Sequence, residues 1–118
     1  MSTPAWPWPN FSLREVGCRH CQTALINIRA MDALQSLRDM MAQPLTINSA
    51  YRCPEHNEAT GGSKRSYHLL GRAFDISTRD VDAEQLRAVA EKAGFTGFGI
   101  YPTFIHVDTG PEREWVGK

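Results

Sequence analysis

Residues 98–108 have the sequence FGIYPTFIHVD. Two alternating runs, 98–101 and 104–108, flank Pro102-Thr103, and this arrangement predicts two strands joined by a short turn. Alternation places three side chains on one face of the second strand: Phe104, His106 and Asp108. Ile105 and Val107 point to the opposite face. A strand with a histidine and a carboxylate on one face either builds a polar site there or faces solvent.

A helix is predicted upstream of this strand pair, from Ile28 to Met41. Asn27 is its expected N-cap and Pro44 ends the segment. Apolar side chains recur at helical spacing along it: Ile28, Met31, Leu34, Leu37 and Met41. We expect this stripe to face the core.

A second helix is predicted to follow the Asp82 cap and to end at Gly94. Its apolar stripe consists of Leu86, Val89, Ala90 and Ala93. Residues 45–48 and 72–76 are predicted strands, and residues 53–66 are predicted to be a loop because they are rich in glycine and polar residues. The pattern predicts the α+β class, with two main helices packed on a small antiparallel sheet.

The length of 118 residues favours a single domain. Residues 1–27 are expected to be an N-terminal arm and the lead-in to the domain of residues 28–118. Residues 1–10, with Trp6, Pro7, Trp8 and Pro9, are expected to form an extended arm that docks on that domain. Thirteen basic and 13 acidic residues argue against nucleic acid as a partner. No apolar run approaches the ~20 residues of a membrane span, and the first residues do not resemble a signal peptide. We expect a monomer that is made in the cytoplasm.

The histidines and aspartates are the main candidates for chemistry. His68 precedes Asp75 by seven residues, and Gly71 between them permits a tight turn. One interpretation is that each histidine simply forms a hydrogen-bonded pair with a nearby aspartate. The other is that His68, Asp75 and His106 form a three-ligand zinc set with a fourth position left for water.

Several motifs resemble one known family. They are Ser49-Ala-Tyr51-Arg52, His56-Asn57, Gly61-Gly62, Ser66–Asp75 (SYHLLGRAFD), Gly99-Ile-Tyr101 and Phe104–Asp108. Together they resemble the zinc D-Ala-D-Ala carboxypeptidase family, peptidase family M15, and especially its small single-domain bacterial and phage members that act on peptidoglycan. The resemblance covers about residues 28–115 and implies the fold shared by zinc D,D-peptidases and hedgehog-like domains.

The resemblance also implies a site. Zn²⁺ would be held by His68, Asp75 and His106. Arg52 would lie near the scissile carbonyl or the substrate carboxylate, where a guanidinium stabilises negative charge. Ser66 would be a supporting hydroxyl or one that faces the substrate.

This sequence departs from the family pattern at the position of the general base. Many relatives have a carboxylate three residues before the last zinc histidine. That position is Thr103 here, and Phe104 stands where others have a histidine. Asp108 is the local carboxylate, and some cell-wall members share this H-x-D form. We expect Asp108 either to act as the base or to orient the water or a ligand.

Further candidates have two interpretations each. Tyr101 and Trp115 would line the substrate groove or pack at the edge of the domain. His56 would contact substrate or serve as a structural loop residue. Cys18-Arg-His20-Cys21 would bind metal or form a disulfide, with Cys53 completing a set if the fold brings it near; otherwise these are small half-buried thiols.

Three functions follow from this sequence. The first is a zinc peptidase that cleaves stem peptides or cross-links of peptidoglycan, of endolysin type and reaching the wall after phage-type release. The second is a D-Ala-D-Ala carboxypeptidase acting on free stem peptides. The third is a zinc-stabilised wall-binding module without turnover. Thr103 and Phe104 favour this alternative, because they stand where relatives have a general base.

Overall fold

A computed structural model describes residues 7–18, 25–59 and 67–117, apart from the side chains of Leu13 and His56. Four α-helices lie in these ranges: α1 Leu13–Val16, α2 Ile28–Met41, α3 Pro54–Ala59 and α4 Ala83–Ala93. A 3₁₀ helix spans Tyr67–Leu70. The strands are β1 Ile47–Ser49, β2 Ala73–Ser77, β3 Gly97–Ile100, β4 Phe104–Asp108 and β5 Arg113–Val116.

The five strands form one sheet in the order β1-β2-β4-β3-β5. Neighbours are antiparallel except for β3 and β5, which run parallel. After β4 the chain turns within residues 109–112 and passes to the free edge of β3, so that β5 runs in the direction of β3. The α+β class with two main helices is confirmed, and the sheet is mixed rather than wholly antiparallel.

Helix α2 begins and ends where its sequence predicts. The Asn27 side chain accepts a hydrogen bond from the backbone N–H of Ala30, and Ala42 closes the helix at φ 55°. Met31, Leu34, Leu37 and Met41 are buried as expected. Ile28 is 68% exposed, so its assignment to the buried stripe was wrong. It is the first residue of the helix, before the packed turns.

Helix α4 is capped as its sequence predicts. The Asp82 carboxylate accepts a hydrogen bond from the backbone N–H of Gln85, and Gly94 ends the helix at φ 117°. Leu86 and Ala90 are fully buried, whereas Val89 and Ala93 are partly buried against the core. Both main helices cover the sheet face that carries Phe74, Ile76, Ile105 and Val107. The opposite face is thereby left for polar side chains.

The N-terminal segment joins the same core. Trp8 and Phe11 are buried, and the indole N–H of Trp8 donates to Asp32 on α2 at 2.9 Å. The predicted docking of residues 1–10 therefore holds for residues 7–10, the part that the structure describes. Residues 11–18 also contain the short helix α1, which the sequence did not predict. Residues 1–6, including Trp6, lie outside the described residues.

Further elements differ from the prediction. Strands β2 and β3 are each displaced by one residue, from 72–76 to Ala73–Ser77 and from 98–101 to Gly97–Ile100. Residues 54–59 of the predicted loop form α3, in which Pro54 occupies the first helical position, where its missing N–H costs nothing. Strand β1 covers 47–49 rather than 45–48. Strand β5 was not predicted. Among the described ranges, no helix is both long and apolar enough to cross a membrane.

Candidate metal centre

Strands β2 and β4 bring the first two site residues together. In their antiparallel register Asp75 lies directly opposite His106. Residues on either side of this pair, Phe74 and Ile105 among them, point into the core, so Asp75 and His106 point to the other face. The Nδ1 atom of His106 lies 3.0 Å from the Oδ1 atom of Asp75.

The 3₁₀ helix before β2 supplies the third residue. Gly71 reverses the chain at φ 67°, and a Cβ there would overlap the carbonyl of Leu25, so this turn requires glycine. The turn places the Nε2 atom of His68 3.2 Å from Asp75 Oδ1. His68 Nδ1 lies 2.6 Å from the carbonyl oxygen of Ala50, which only accepts hydrogen bonds. With its proton on Nδ1, a neutral His68 ring would have the Nε2 lone pair free for a metal ion in place of the hydrogen bond to Asp75.

The three side chains fit a divalent cation. One ligand atom from each of His68, Asp75 and His106 lies within 4.8 Å of the others. In a tetrahedral zinc site with metal–ligand bonds of about 2.0 Å, the ligand atoms lie about 3.3 Å apart. The distances from Asp75 Oδ1 to His68 Nε2 and to His106 Nδ1, 3.2 and 3.0 Å, are close to this value. The rings of His68 and His106 meet edge to face at 5.1 Å between centroids. Two imidazole nitrogens and one carboxylate oxygen are a suitable donor set for zinc.

The electrostatics keep the carboxylate charged. Burial alone would raise the pKa of Asp75, but the hydrogen bonds from His106 and His68 outweigh it and hold that pKa well below its usual range. Burial likewise opposes charge on His106, yet its hydrogen bonds to Asp108 and Asp75 raise the pKa of the imidazole. Asp75 is thus kept as a carboxylate, the form that binds a metal ion.

Asp108 supports His106 from behind. Its Oδ2 atom lies 2.6 Å from His106 Nε2, and its Oδ1 atom accepts the backbone N–H of Gly110 at 2.9 Å. Arg113 donates to both carboxylate oxygens. Burial would raise the pKa of Asp108, but hydrogen bonds from His106, Arg113 and Gly110 hold it well below its usual range. Asp108 is fully buried, with its carboxylate engaged on both oxygens.

Three aromatic side chains border the site. Tyr101 stacks on Phe104 with ring centroids 4.4 Å apart, and its hydroxyl accepts the indole N–H of Trp115 at 2.9 Å. The Trp115 ring lies 5.2 Å from that of His106. It crosses β3 above Gly99, where a Cβ would lie only 2.6 Å from the indole ring. Trp115 therefore contacts a candidate ligand and Tyr101 reaches it through Trp115, while their role in a substrate groove stays a prediction.

Arg52 also belongs to this neighbourhood. Its backbone N–H donates to the carbonyl of His68 at 3.2 Å, which joins the two segments. Burial lowers the pKa of its guanidinium, while the negative charge of Asp75 acts in the opposite sense. A partly desolvated cation therefore lies in the field of the candidate metal ligands.

Other predicted residues are placed as follows. Ser66, His20 and Cys21 lie outside the described residues, and the side chain of His56 is not described. Thr103 is exposed in the turn before β4. Cys18 and Cys53 do meet, since the backbone N–H of Cys53 donates to the sulfur of Cys18 at 3.3 Å. This contact links the N-terminal segment to the residue that follows Arg52.

Sequence reasoning missed Arg113 and Gly97, and it quoted Gly99 only as part of a family motif. A signal lies in the matching two-residue spacing of large side chains and glycines. Arg113 and Trp115 are two residues apart in β5, and they pair with Gly97 and Gly99 in β3. Without β5, nothing in the sequence connected Arg113 to Asp108.

Comparisons with known proteins agree on one family. The family model described as Peptidase M15 matches residues 10–108. The peptidoglycan L,D-endopeptidase MepK of Escherichia coli K12 is 32% identical over 93 residues, covering 71% of this chain and 51% of that protein. The probable peptidoglycan L,D-endopeptidase MepK of Haemophilus influenzae is 44% identical over 62 residues, covering 51% and 33%.

A third relative carries the metal in its name. The zinc D-Ala-D-Ala carboxypeptidase of Streptomyces albus G is 31% identical over 88 residues, covering 70% of this chain and 34% of that protein. The chain thus spans only about a third to half of the length of these relatives. The region matched by the family model, residues 10–108, contains the segments that bring His68, Asp75 and His106 together.

Proposed function

The chain belongs to peptidase family M15, and on that premise we propose that it is a zinc-dependent peptidase that cleaves the peptide stems or cross-links of peptidoglycan. Family membership implies Zn²⁺ as the cofactor. The observation that carries the proposal is the convergence of His68, Asp75 and His106, whose ligand atoms lie within 4.8 Å of one another.

In the proposed mechanism His68, Asp75 and His106 hold the ion. Zinc supplies Lewis-acid polarisation of the peptide carbonyl and activation of water. His68 presents Nε2 because Ala50 fixes the proton on Nδ1. His106 presents Nδ1 because Asp108 accepts the proton of Nε2. The guanidinium of Arg52 stabilises negative charge that develops on the substrate carbonyl.

We assign Asp108 to orientation rather than to proton abstraction. A general base must reach the water that it deprotonates. Asp108 is fully buried, and its two oxygens contact Arg113, Gly110 and His106. These contacts support a carboxylate that fixes the ring of His106, which is one of the two roles expected from the sequence.

Endopeptidase and carboxypeptidase activities are both represented among the relatives' names. We favour the endopeptidase because two of the three relatives are named as MepK endopeptidases, and the one from Haemophilus influenzae reaches 44% identity, against 31% for the carboxypeptidase. An endopeptidase needs a groove that is open at both ends, whereas a carboxypeptidase needs a pocket for the terminal carboxylate. Digested muropeptides analysed by mass spectrometry separate the two: split stems or cross-links indicate the first, and loss of single alanines indicates the second.

The decisive experiment uses the whole chain on purified wall sacculi. We expect a chelator to abolish the release of peptide fragments and added Zn²⁺ to restore it. Undiminished release by the metal-free protein would refute zinc dependence. Binding to sacculi without any release, at saturating zinc, would favour the non-catalytic wall-binding module instead.

Delivery to the wall stays a prediction. An endolysin-type role requires that the chain lyse cells only when a membrane pore is opened from inside. Expression with and without a pore-forming protein, followed by turbidity, tests this, and lysis in both cultures or in neither would contradict it. The expected monomer is tested by light scattering of the purified chain.

A further inference from the structure

Arg113 reaches across the sheet to the residue behind the metal site. Its two terminal nitrogens donate to the two oxygens of Asp108, at 2.9 and 2.8 Å. This is a two-pronged contact that only a guanidinium provides, because lysine has a single nitrogen. Asp108 is fully buried, and the side chain of Arg113 is 35% exposed. The cation therefore closes the outer side of a buried carboxylate.

The contact depends on a gap in the intervening strand. Arg113 is on β5 and Asp108 is on β4, and β3 lies between them with Gly97 in register with both. A Cβ at Gly97 would overlap the Asp108 carboxylate and the Arg113 guanidinium. The bare backbone of Gly97 lets the ion pair pass over β3.

Two aromatic rings fix the guanidinium in place. Its central carbon lies 4.9 Å from the centroid of the Trp115 ring and 5.1 Å from that of Tyr67. Tyr67 directly precedes His68, and the Trp115 ring approaches His106. Arg113 thus contacts neighbours of two candidate zinc ligands and the carboxylate that holds one of them.

We propose that Arg113 is a positioning residue for the metal centre, acting through Asp108 to fix the ring of His106 with Nδ1 towards the ion. The proposal rests on the proposed function. The chain of contacts runs from Arg113 to both oxygens of Asp108, and from Asp108 Oδ2 to His106 Nε2. Without the guanidinium the carboxylate can rotate about its own bond, and the ring that it holds then loses its fixed orientation.

The test is a zinc titration of purified variants against a competing chelator. Arg113→Gln removes the charge and the two-pronged contact, and Arg113→Lys retains the charge alone. Arg87→Gln is the matched control. Arg87 on α4 forms an ion pair with Glu114, whose side chain lies on the face of β5 opposite to Arg113. We expect zinc affinity to fall about tenfold in Arg113→Gln, less in Arg113→Lys, and by under about twofold in the control.

A second readout separates positioning from general stability. In nitrogen-15 NMR spectra of the zinc-loaded protein, we expect the His106 ring of the parent and of Arg87→Gln to carry its proton on Nε2. In Arg113→Gln we expect that signal to broaden or shift while the remaining amide spectrum stays folded. Unchanged zinc affinity and an unchanged His106 signal in a folded Arg113→Gln protein would overturn the proposal. If the parent itself binds no zinc, the proposed function fails instead.

Discussion

Asp75 and His106 are registered partners on adjacent antiparallel strands, with Asp75 Oδ1 3.0 Å from His106 Nδ1. Opposite residues of an antiparallel pair necessarily share a face, so the sheet itself brings these two ligand atoms together. Only His68 needs a special turn to join them, and Gly71 supplies it. The candidate centre is therefore mostly a product of strand register.

The first prediction concerns the central ligand. Asp75→Asn removes the charge that contacts both imidazoles, and we expect zinc affinity to fall by at least about 10–100-fold because the amide is a poor ligand. Wall hydrolysis should fall with it. Asp80→Asn, an exposed position soon after the same strand, is the control and should leave both unchanged. Equal zinc affinity in the two variants would remove Asp75 from the site.

The second prediction separates the two roles of Asp108. If Asp108 orients His106, Asp108→Ala should weaken zinc binding about 10–100-fold, and saturating zinc should recover part of the turnover. If Asp108 were the base, zinc affinity would stay near that of the parent while kcat fell. Titration of zinc followed by kinetics at saturation distinguishes these results. We also expect a loss of about 2 kcal/mol in the free energy of unfolding, because buried hydrogen bonds are lost.

Local signals account for the parts of the fold that the sequence predicted. Asn27 and Asp82 are side-chain caps that act within three residues, and both helices begin where these caps stand. The alternation in 104–108 likewise defines β4 to the residue. Such features depend on neighbours in the chain and not on the rest of the fold.

The parts that were missed depend on distant contacts. Strand β5 contains Arg113 and Glu114, which give no apolar alternation, and it is a strand because β3 offers a free edge. The parallel pairing and the Arg113–Asp108 contact follow from that placement. The family motif named His68, Asp75 and His106 as candidates, but only the register of β2 and β4 and the turn at Gly71 showed that their ligand atoms meet.

The third prediction concerns the aromatic border. Tyr101→Phe keeps the stacking on Phe104 and removes the hydroxyl that accepts the indole N–H of Trp115. We expect about 1 kcal/mol of lost stability from this hydrogen bond. If Tyr101 also contacts substrate, KM should rise while kcat and zinc affinity hold. A KM equal to that of the parent, measured on a soluble stem peptide, would assign Tyr101 to packing alone.

The fourth prediction tests Arg52 as the cation that stabilises developing charge. Arg52→Gln preserves the backbone hydrogen bond to His68, so the fold should persist. We expect kcat to fall about 10²–10³-fold. Zinc affinity should hold or rise slightly, because a positive charge in the field of Asp75 has been removed. Arg79→Gln, at an exposed position, is the control.

Kinetics on stem peptides with a free or an amidated C-terminus identify the substrate group that Arg52 contacts. A loss of kcat on both substrates places Arg52 at the scissile carbonyl. An effect on KM that is confined to the free acid places Arg52 at the terminal carboxylate. Kinetics equal to those of the parent on both substrates exclude Arg52 from the site.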